Sequence, residues 1–160
     1  MLTLKEAAQE FLAQKRIAVA GVSRSGDTAA NAIYKKLRDS GYEVFPVNPN
    51  AAEVEGDRCY PTLAAIPGGV EAVVIATHPN VTEQVVRECA TLGIKRLWMH
   101  RSFGQGSVDG EAVRLCAELG LSVIPGSCPL MFCEPVDMGH KCLRWFLQVS
   151  GKEAKPNYNS

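Results

Sequence analysis

The sequence lacks a net charge, a block of like charges and a long apolar run. Lys plus Arg and Asp plus Glu each number 17 among the 160 residues. A balanced chain has no overall field that would concentrate nucleic acid or anionic lipid, which argues against both partners. No stretch approaches the ~18 apolar residues of a membrane-spanning helix, and the N-terminus lacks the apolar core of a signal peptide. We therefore expect a cytoplasmic protein without a nucleic-acid or membrane partner.

Disulfides are not expected either, although the chain contains six cysteines. Cysteines in the cytoplasm are normally reduced. Cys128, Cys133, His140 and Cys142 lie close together in the sequence, which raises the question of a metal. Zinc sites usually combine two closely spaced ligand pairs, and this spacing does not meet that pattern. We predict buried thiols and no metal site.

Short apolar runs alternate with segments of helical periodicity along the chain. The strands are predicted at residues 16–21, 42–47, 58–60, 71–76, 95–99 and 121–124, and the helices at 4–12, 29–40, 81–92, 109–119 and 135–149. This alternation is typical of a parallel sheet with helices on both faces. We predict a doubly wound, Rossmann-like α/β fold of three layers (α/β/α), with five or six strands in the order 3-2-1-4-5. Residues 1–150 are predicted to form one domain and residues 151–160 a frayed tail.

The last predicted helix carries an apolar stripe. Its members are Met138, Cys142, Trp145, Phe146 and Val149. Such a stripe more often belongs to a core than to a partner surface, so we expect the helix to pack on the domain. Leu143 and Leu147 broaden the apolar face, which leaves a homodimer contact through this helix as the alternative.

The first strand is followed by a candidate phosphate loop. Ligands of doubly wound sheets bind beyond the carboxyl ends of the strands, and Gly21-Val22-Ser23-Arg24 stands at such an end. Gly21 permits a tight turn, Ser23 lets a phosphate approach and can donate to it, and Arg24 adds a positive charge. Amides near Asn31, where the next helix begins, would add donors and a favourable dipole. An ordinary strand-to-helix turn is the alternative interpretation.

The second strand ends in Val47-Asn48-Pro49, where an NAD-binding domain would normally carry an acid for the ribose. The absence of a carboxylate here argues against an NAD-dependent dehydrogenase. A nucleotide-dependent enzyme and an interaction protein with a vestigial pocket remain the alternatives to a binding module.

Two further strand ends bring candidate ligand contacts. Thr77-His78-Pro79 follows the predicted strand at 71–76, and Met99-His100-Arg101 begins at the last residue of the one at 95–99. Neither histidine has a carboxylate or a nucleophile nearby in the sequence to form a catalytic pair. We therefore assign no catalytic residue.

Together these loops resemble the small stand-alone CoA-binding proteins, which are similar in turn to the N-terminal domain of the succinyl-CoA synthetase α subunit. The resemblance covers about residues 12–130 and is carried by segments 17–23 (Ile-Ala-Val-Ala-Gly-Val-Ser), 44–49 (Val-Phe-Pro-Val-Asn-Pro), 56–63, 73–79 and 97–100. It implies a Rossmann-type domain that binds coenzyme A or an acyl-CoA as a non-catalytic carrier or sensor. It places the phosphate loop on residues 21–24 and the further contacts on residues 47–49, 77–79 and 99–101. The stretch from Met99 to Gly106 is longer and more basic than in the family, and residues 134–160 receive no role from it.

Overall fold

Five parallel strands form the central sheet of the computed structural model, which describes residues 1–158. The strands of the chain are β1 Arg16–Ala20, β2 Glu43–Val47, β3 Glu53–Val54, β4 Asp57–Arg58, β5 Ala72–Ile75, β6 Arg96–Met99 and β7 Ser122–Pro125. The helices are α1 Leu4–Leu12, α2 Ala29–Asp39, α3 Pro79–Thr91, α4 Gly110–Glu118 and α5 Met138–Val149, with 3₁₀ turns at Leu63–Ala65 and Pro129–Met131. The short strands β3 and β4 form a separate antiparallel hairpin.

The order of the sheet is β2-β1-β5-β6-β7, and every neighbouring pair is parallel. β5 lies beside β1, with Val19 opposite Val74. The predicted third strand contributes one parallel bridge, between Tyr60 and Val47, on the outer side of β2. The predicted doubly wound order 3-2-1-4-5 is therefore confirmed, although the strand predicted at residues 58–60 contributes only this single bridge to the sheet.

Helices cover both faces of the sheet, which gives the predicted three layers. On one face α1 and α2 pack against alternate strand residues such as Val19 and Val74. On the other face α3 and α4 pack against the residues between them, such as Ala18 and Val73. Buried apolar residues on both faces of a strand are expected for a parallel sheet.

Local sequence signals set the helix ends. The Thr3 hydroxyl accepts a hydrogen bond from the Glu6 amide, and the Glu6 carboxylate accepts from the Thr3 amide at 2.8 Å, so the capping box that starts α1 is present. α3 begins at Pro79, two residues before its predicted start at 81. Proline is favoured at the first position of a helix, where its missing N–H would have no partner anyway.

Helix α5 packs on the domain by a different side from the one predicted. Met138, Trp145, Phe146 and Val149 are 72%, 64%, 53% and 63% exposed, and Cys142 is exposed as well. The helix instead contacts the core through Leu143 and Leu147, while the Arg144 guanidinium lies 4.4 Å from the centre of the Phe132 ring. The prediction of a core stripe was wrong because α5 has two apolar sides, and the narrower one faces the domain.

The tail after α5 is packed, which corrects the predicted frayed end as far as residue 158. The Asn157 amide donates to Val123 O at 2.9 Å, and the Val123 amide donates to Asn157 O at 2.8 Å, which adds an antiparallel bridge to the outer side of β7. Tyr158 is 1% exposed and joins the core beneath α1. Residues 159–160 of the predicted tail lie outside the described residues. Within residues 1–158, the helices are too short or too polar to cross a bilayer.

Candidate functional site

An open cleft of about 400 Å³ lies at the carboxyl ends of β1, β2 and β5. The chain leaves β1 toward β2 on one side and later enters β5 on the other, so the cleft is at the switch point where doubly wound sheets bind ligands. Its volume lies within the range of typical small-molecule and cofactor sites. The residues that line it are Ala20, Gly21, Val22, Val47, Asn48, Pro49, Pro61, Thr62, Ala76, Thr77, His78, Val81, Gln84, Val85 and Glu88.

Gly21 brings the ends of β1 and β5 close together beside this cleft. Its φ of 101° lies in the region that side chains disfavour. A Cβ at this position would stand 2.4 Å from Ala76 O, far inside van der Waals contact. Only glycine therefore fits the turn that leads from β1 into the phosphate loop.

Asn31 holds the loop between β1 and α2 in place. Its side chain is fully buried, and its Oδ1 accepts from the Ser23 amide and the Thr28 hydroxyl, each at 2.7 Å. Its Nδ2 donates to Ser23 O at 2.8 Å and to Glu55 Oε1 at 2.9 Å. The Asn31 side chain thus has its donors and acceptor engaged within the protein and shapes the loop.

The candidate phosphate loop has backbone donors to spare. The Ser25 amide donates to Ser23 Oγ at 3.2 Å, and the two serine hydroxyls are 2.8 Å apart. Within residues 1–158, the amides of Arg24 and Gly26 have no acceptor. The Arg24 side chain is exposed, and the N-terminus of α2 follows directly. Free amides at a helix N-terminus can bind an oxyanion such as a phosphate.

A carboxylate behind this loop affects its charge. Glu55 has a side chain only 18% exposed, and its Oε1 lies 3.7 Å from Lys35 Nζ as well as 2.9 Å from Asn31 Nδ2. A Cβ on Gly26 would be 3.6 Å from the same oxygen, so the carboxylate is close to the loop. Its charge opposes a bound anion, and the Lys35 ammonium offsets that charge.

Asn48 connects the end of β2 to the loop. Its Nδ2 donates to Val22 O at 2.8 Å, and its Oδ1 accepts from the Asn50 amide at 2.8 Å. An aspartate could not donate to Val22 O, because an ionised carboxylate is only an acceptor. The local geometry thus explains why an amide stands where a ribose-binding acid is common. Pro49 is exposed on the wall of the cleft.

The opposite wall begins with Thr77 and His78. Thr77 O accepts from the Ser107 hydroxyl at 2.6 Å, and His78 caps α3 by accepting from the Asn80 amide at its Nδ1, at 3.3 Å. Pro79 is the first residue of α3 and does not line the cleft. The rest of this wall comes from α3 and was not predicted: Val81, Gln84, Val85 and Glu88. Their i, i+3, i+4, i+7 spacing is the signal by which one helix face could have been found.

The three predicted contacts after β6 lie away from the cleft. Met99 is fully buried in the core beneath α3 and α4. His100 is 9% exposed, its Nε2 lies 3.2 Å from Ser102 Oγ, and burial lowers the pKa of its imidazole. Arg101 lines a separate cleft beside α5. Its guanidinium packs against Gly126, so closely that a Cβ added to Gly126 would be 3.0 Å from Arg101 Nη2.

Five of the six cysteines are buried. Burial raises the pKa of the Cys128 thiol to about 11, and the Cys133 thiol donates to Ser40 Oγ at 3.7 Å. Cys59 is buried beside the cleft, near Asn48 O, and burial raises the pKa of its thiol. Cys142 is exposed, so the prediction of a buried thiol was wrong at this position. In the described part of the chain, no three potential metal ligands come together.

The chain matches a known family over most of its length. The family model of the CoA binding domain matches residues 15–134. The chain is 32% identical over 114 residues to the uncharacterized protein YneT of Bacillus subtilis, covering 71% of this chain and 82% of that protein. It is 28% identical over 125 residues to the α subunit of the ADP-forming acetate–CoA ligase II of Pyrococcus furiosus, covering 74% of this chain but only 27% of that subunit.

A solved structure with a similar fold is that of a hypothetical protein from Pyrococcus horikoshii OT3. Its TM-score is 0.76 at 32% identity, and the match covers 84% of this chain and 92% of that one. The segment matched by the family model, residues 15–134, contains every strand of the sheet and every residue that lines the cleft. The chain belongs to the CoA binding domain family.

Proposed function

We propose that this protein binds coenzyme A, free or as an acyl-CoA, and serves as a non-catalytic carrier or sensor. The adenosine end occupies the cleft, and the pyrophosphate rests on the loop of residues 21–28. One observation carries the proposal: a loop with free amides and a helix N-terminus opens at the edge of a cofactor-sized cleft. Membership of the CoA binding domain family supports the choice of ligand.

The surfaces of the cleft suit the two ends of such a ligand. Val47, Val81 and Val85 offer apolar contact to a planar base, and Pro49 and Pro61 add rigid edges. At the loop, the amides of Arg24 and Gly26 face no internal acceptor, so a phosphate would not have to displace a protein hydrogen bond. The Arg24 guanidinium would add a charge-assisted contact.

A carrier or sensor role is supported by the state of His78, the one histidine of the cleft. Its Nδ1 already accepts from the Asn80 amide, and no carboxylate in residues 1–158 hydrogen-bonds its ring. A general base normally needs a partner that orients it. We also propose a cytoplasmic location, because the six cysteines are free thiols, as in a reducing compartment.

A thermal-shift panel of CoA, acetyl-CoA, NAD, NADP and ADP tests the choice of ligand. A ligand present at 100 times its Kd adds about 2.7 kcal/mol to stability, which is roughly 5–10 °C for a domain of this length. We expect CoA and acetyl-CoA to give this shift, and NAD and NADP to give none. A shift by NAD or NADP alone would favour the nucleotide-dependent enzyme, and no shift by any compound would favour a vestigial pocket.

Substitutions in the loop test the pyrophosphate site. Ser23→Tyr should abolish CoA binding with little change in melting temperature, because Ser23 is half-buried at the mouth of the loop. Arg24→Ala should weaken binding about ten- to a hundredfold, the value of one charge-assisted contact, and less at high salt. Arg114→Ala is the matched control, since this exposed arginine lies on α4. Calorimetric titration decides: unchanged affinity of Ser23→Tyr would place the phosphates elsewhere.

A hydrolysis assay tests the absence of catalysis. Purified protein is incubated with acetyl-CoA, and the free thiol is measured against the summed blank of acetyl-CoA alone and protein alone, because the exposed Cys142 thiol also reacts. We expect no release above the blank. Turnover that disappears in the His78→Ala variant would show that the cleft is an active site and would refute the carrier role.

A further inference from the structure

The outer side of α5 concentrates the exposed apolar surface of the molecule. Nine large apolar residues are exposed within residues 1–158, and five of them belong to α5 or to the loop beside it: Phe103, Met138, Trp145, Phe146 and Val149. Phe103 is 80% exposed and lines, together with Phe146, an open cleft between the loop and the helix. Soluble monomers rarely expose such a continuous apolar patch unless it binds something.

The patch follows the geometry of a helix-pairing surface. Met138, Cys142, Trp145 and Val149 recur at i, i+4, i+7 and i+11, so they form one continuous line along the helix, which we call the outer stripe. Leu143 and Leu147 point to the other side, into the domain. The outer stripe is thus free along its whole length while α5 stays attached to its own domain.

We propose that the outer stripe is a dimer interface, in which α5 packs antiparallel against α5 of a second copy about a two-fold axis. With the axis near residues 143–144, Met138 lies opposite the partner copy's residue 149, and Cys142 opposite its residue 145. Each large side chain then meets a smaller one. None of the outer-stripe residues lines the CoA cleft, so the inference is independent of the proposed function.

Charge favours the second copy as the occupant and the antiparallel direction of the pair. Asp137 caps the N-terminus of α5, and Lys152 follows its C-terminus. An antiparallel pair brings each Asp137 toward the other copy's Lys152 and opposes the two helix dipoles favourably. A parallel pair would instead set Asp137 against Asp137 and Trp145 against Trp145.

The exposed area is sufficient for a reversible dimer. Large apolar side chains present about 150–250 Å² each when fully accessible, so these five residues offer roughly 600 Å² per copy. A standard interface buries about 800 Å² per partner, a value that the polar rim of α5 would bring within reach. We therefore expect a dimer that dissociates on dilution rather than an obligate one.

Sedimentation equilibrium over a concentration series measures this association. For the wild type we expect the weight-average mass to rise from one copy at about 1 μM to two copies at several hundred μM. Trp145→Glu should remain a single copy throughout, whereas Leu119→Glu, which places the same charge on the exposed leucine that directly follows α4, should behave like the wild type. Circular dichroism confirms that each variant is folded. A wild type that stays monomeric, or a Trp145→Glu variant that dimerises equally, overturns the proposal.

Cross-linking tests the direction of the pair. A short bis-maleimide should join two wild-type chains through Cys142, the only exposed cysteine, and should fail with Cys142→Ser. In the Cys142→Ser background, mixing a Met138→Cys chain with a Val149→Cys chain should yield the mixed cross-link in preference to either homodimer. A preference for the two homodimer cross-links would indicate a parallel pair and contradict the proposed interface.

Discussion

Removing the Asn31 side chain tests whether the phosphate loop depends on one buried amide. Asn31→Ala deletes two bonds accepted by Oδ1 and two donated by Nδ2. A buried polar group left without a partner costs about 1–3 kcal/mol. The vacated space can hold a water that satisfies some of these groups, so we expect a total loss of roughly 2–4 kcal/mol. That is a large fraction of the ~5–15 kcal/mol by which a domain is normally stable.

Urea unfolding followed by tryptophan fluorescence measures this loss, and calorimetry measures CoA affinity in the same variant. We expect affinity to fall at least tenfold, because the Ser23 backbone loses both of its bonds to Asn31. Asn50→Ala is the control: this exposed residue follows β2, its side chain makes no hydrogen bond within residues 1–158, and its removal should cost less than about 0.5 kcal/mol. A stability change as small in Asn31→Ala as in Asn50→Ala would refute the assigned network. Lost stability with unchanged CoA affinity would show that the loop does not hold the phosphates.

Asn31→Asp separates the acceptor bonds from the donor bonds. The aspartate keeps the two bonds accepted by Oδ1. Its second oxygen replaces Nδ2, which in the wild type lies 2.9 Å from Glu55 Oε1, so two carboxylate oxygens then face each other. Combining it with Glu55→Gln restores a donor at that contact. The double variant should therefore be more stable than Asn31→Asp alone, and no recovery would mean that the Glu55 contact contributes little.

Two further predictions concern Gly21 and His100. Gly21→Ala should cost several kcal/mol in urea unfolding, because its Cβ would meet Ala76 O at 2.4 Å. Gly41→Ala, also at positive φ but with no atom within 4 Å, should cost only about 1 kcal/mol, and equal losses would contradict the steric argument. Burial lowers the pKa of His100, so the unfolded chain takes up a proton near pH 6.5 before the folded one does. The corresponding stability is present above pH ~6.5 and lost as pH falls through the folded pKa. His100→Gln should therefore flatten the urea midpoints between about pH 5 and 7, and a slope equal to that of the wild type would contradict this.

The parts of the fold that local signals determine could be predicted from the sequence. The Thr3–Glu6 capping box, the buried run of β5 and the glycine after α2 each depend on neighbours in the chain. The switch point follows from strand order, because sequential βαβ units wind in one hand. Seven of the predicted site residues therefore line the cleft.

The remaining features depend on contacts between distant segments. The role of Asn31 could not be predicted because one of its partners, Glu55, is 24 residues away on a hairpin too short to show in the pattern. The orientation of α5 was missed because apolar residues occupy two of its sides, and packing beside Phe132 selects the side of Leu143 and Leu147. Met99 is the last residue of β6 and His100 follows it, and both are buried. A position at the end of a strand does not by itself distinguish a core residue from a cleft residue.

The backbone bridges at the two borders of the sheet protect the protein against aggregation. Beyond β2, the Tyr60 amide donates to Pro46 O at 2.9 Å and Tyr60 O accepts from the Asn48 amide at 3.0 Å. Beyond β7, Asn157 occupies the backbone groups of Val123. An uncovered edge strand has unpaired N–H and C=O groups, which can pair with strands of other chains and so promote aggregation. With both borders occupied in residues 1–158, a transient loss of the C-terminal segment is the event that would expose β7 to such recruitment.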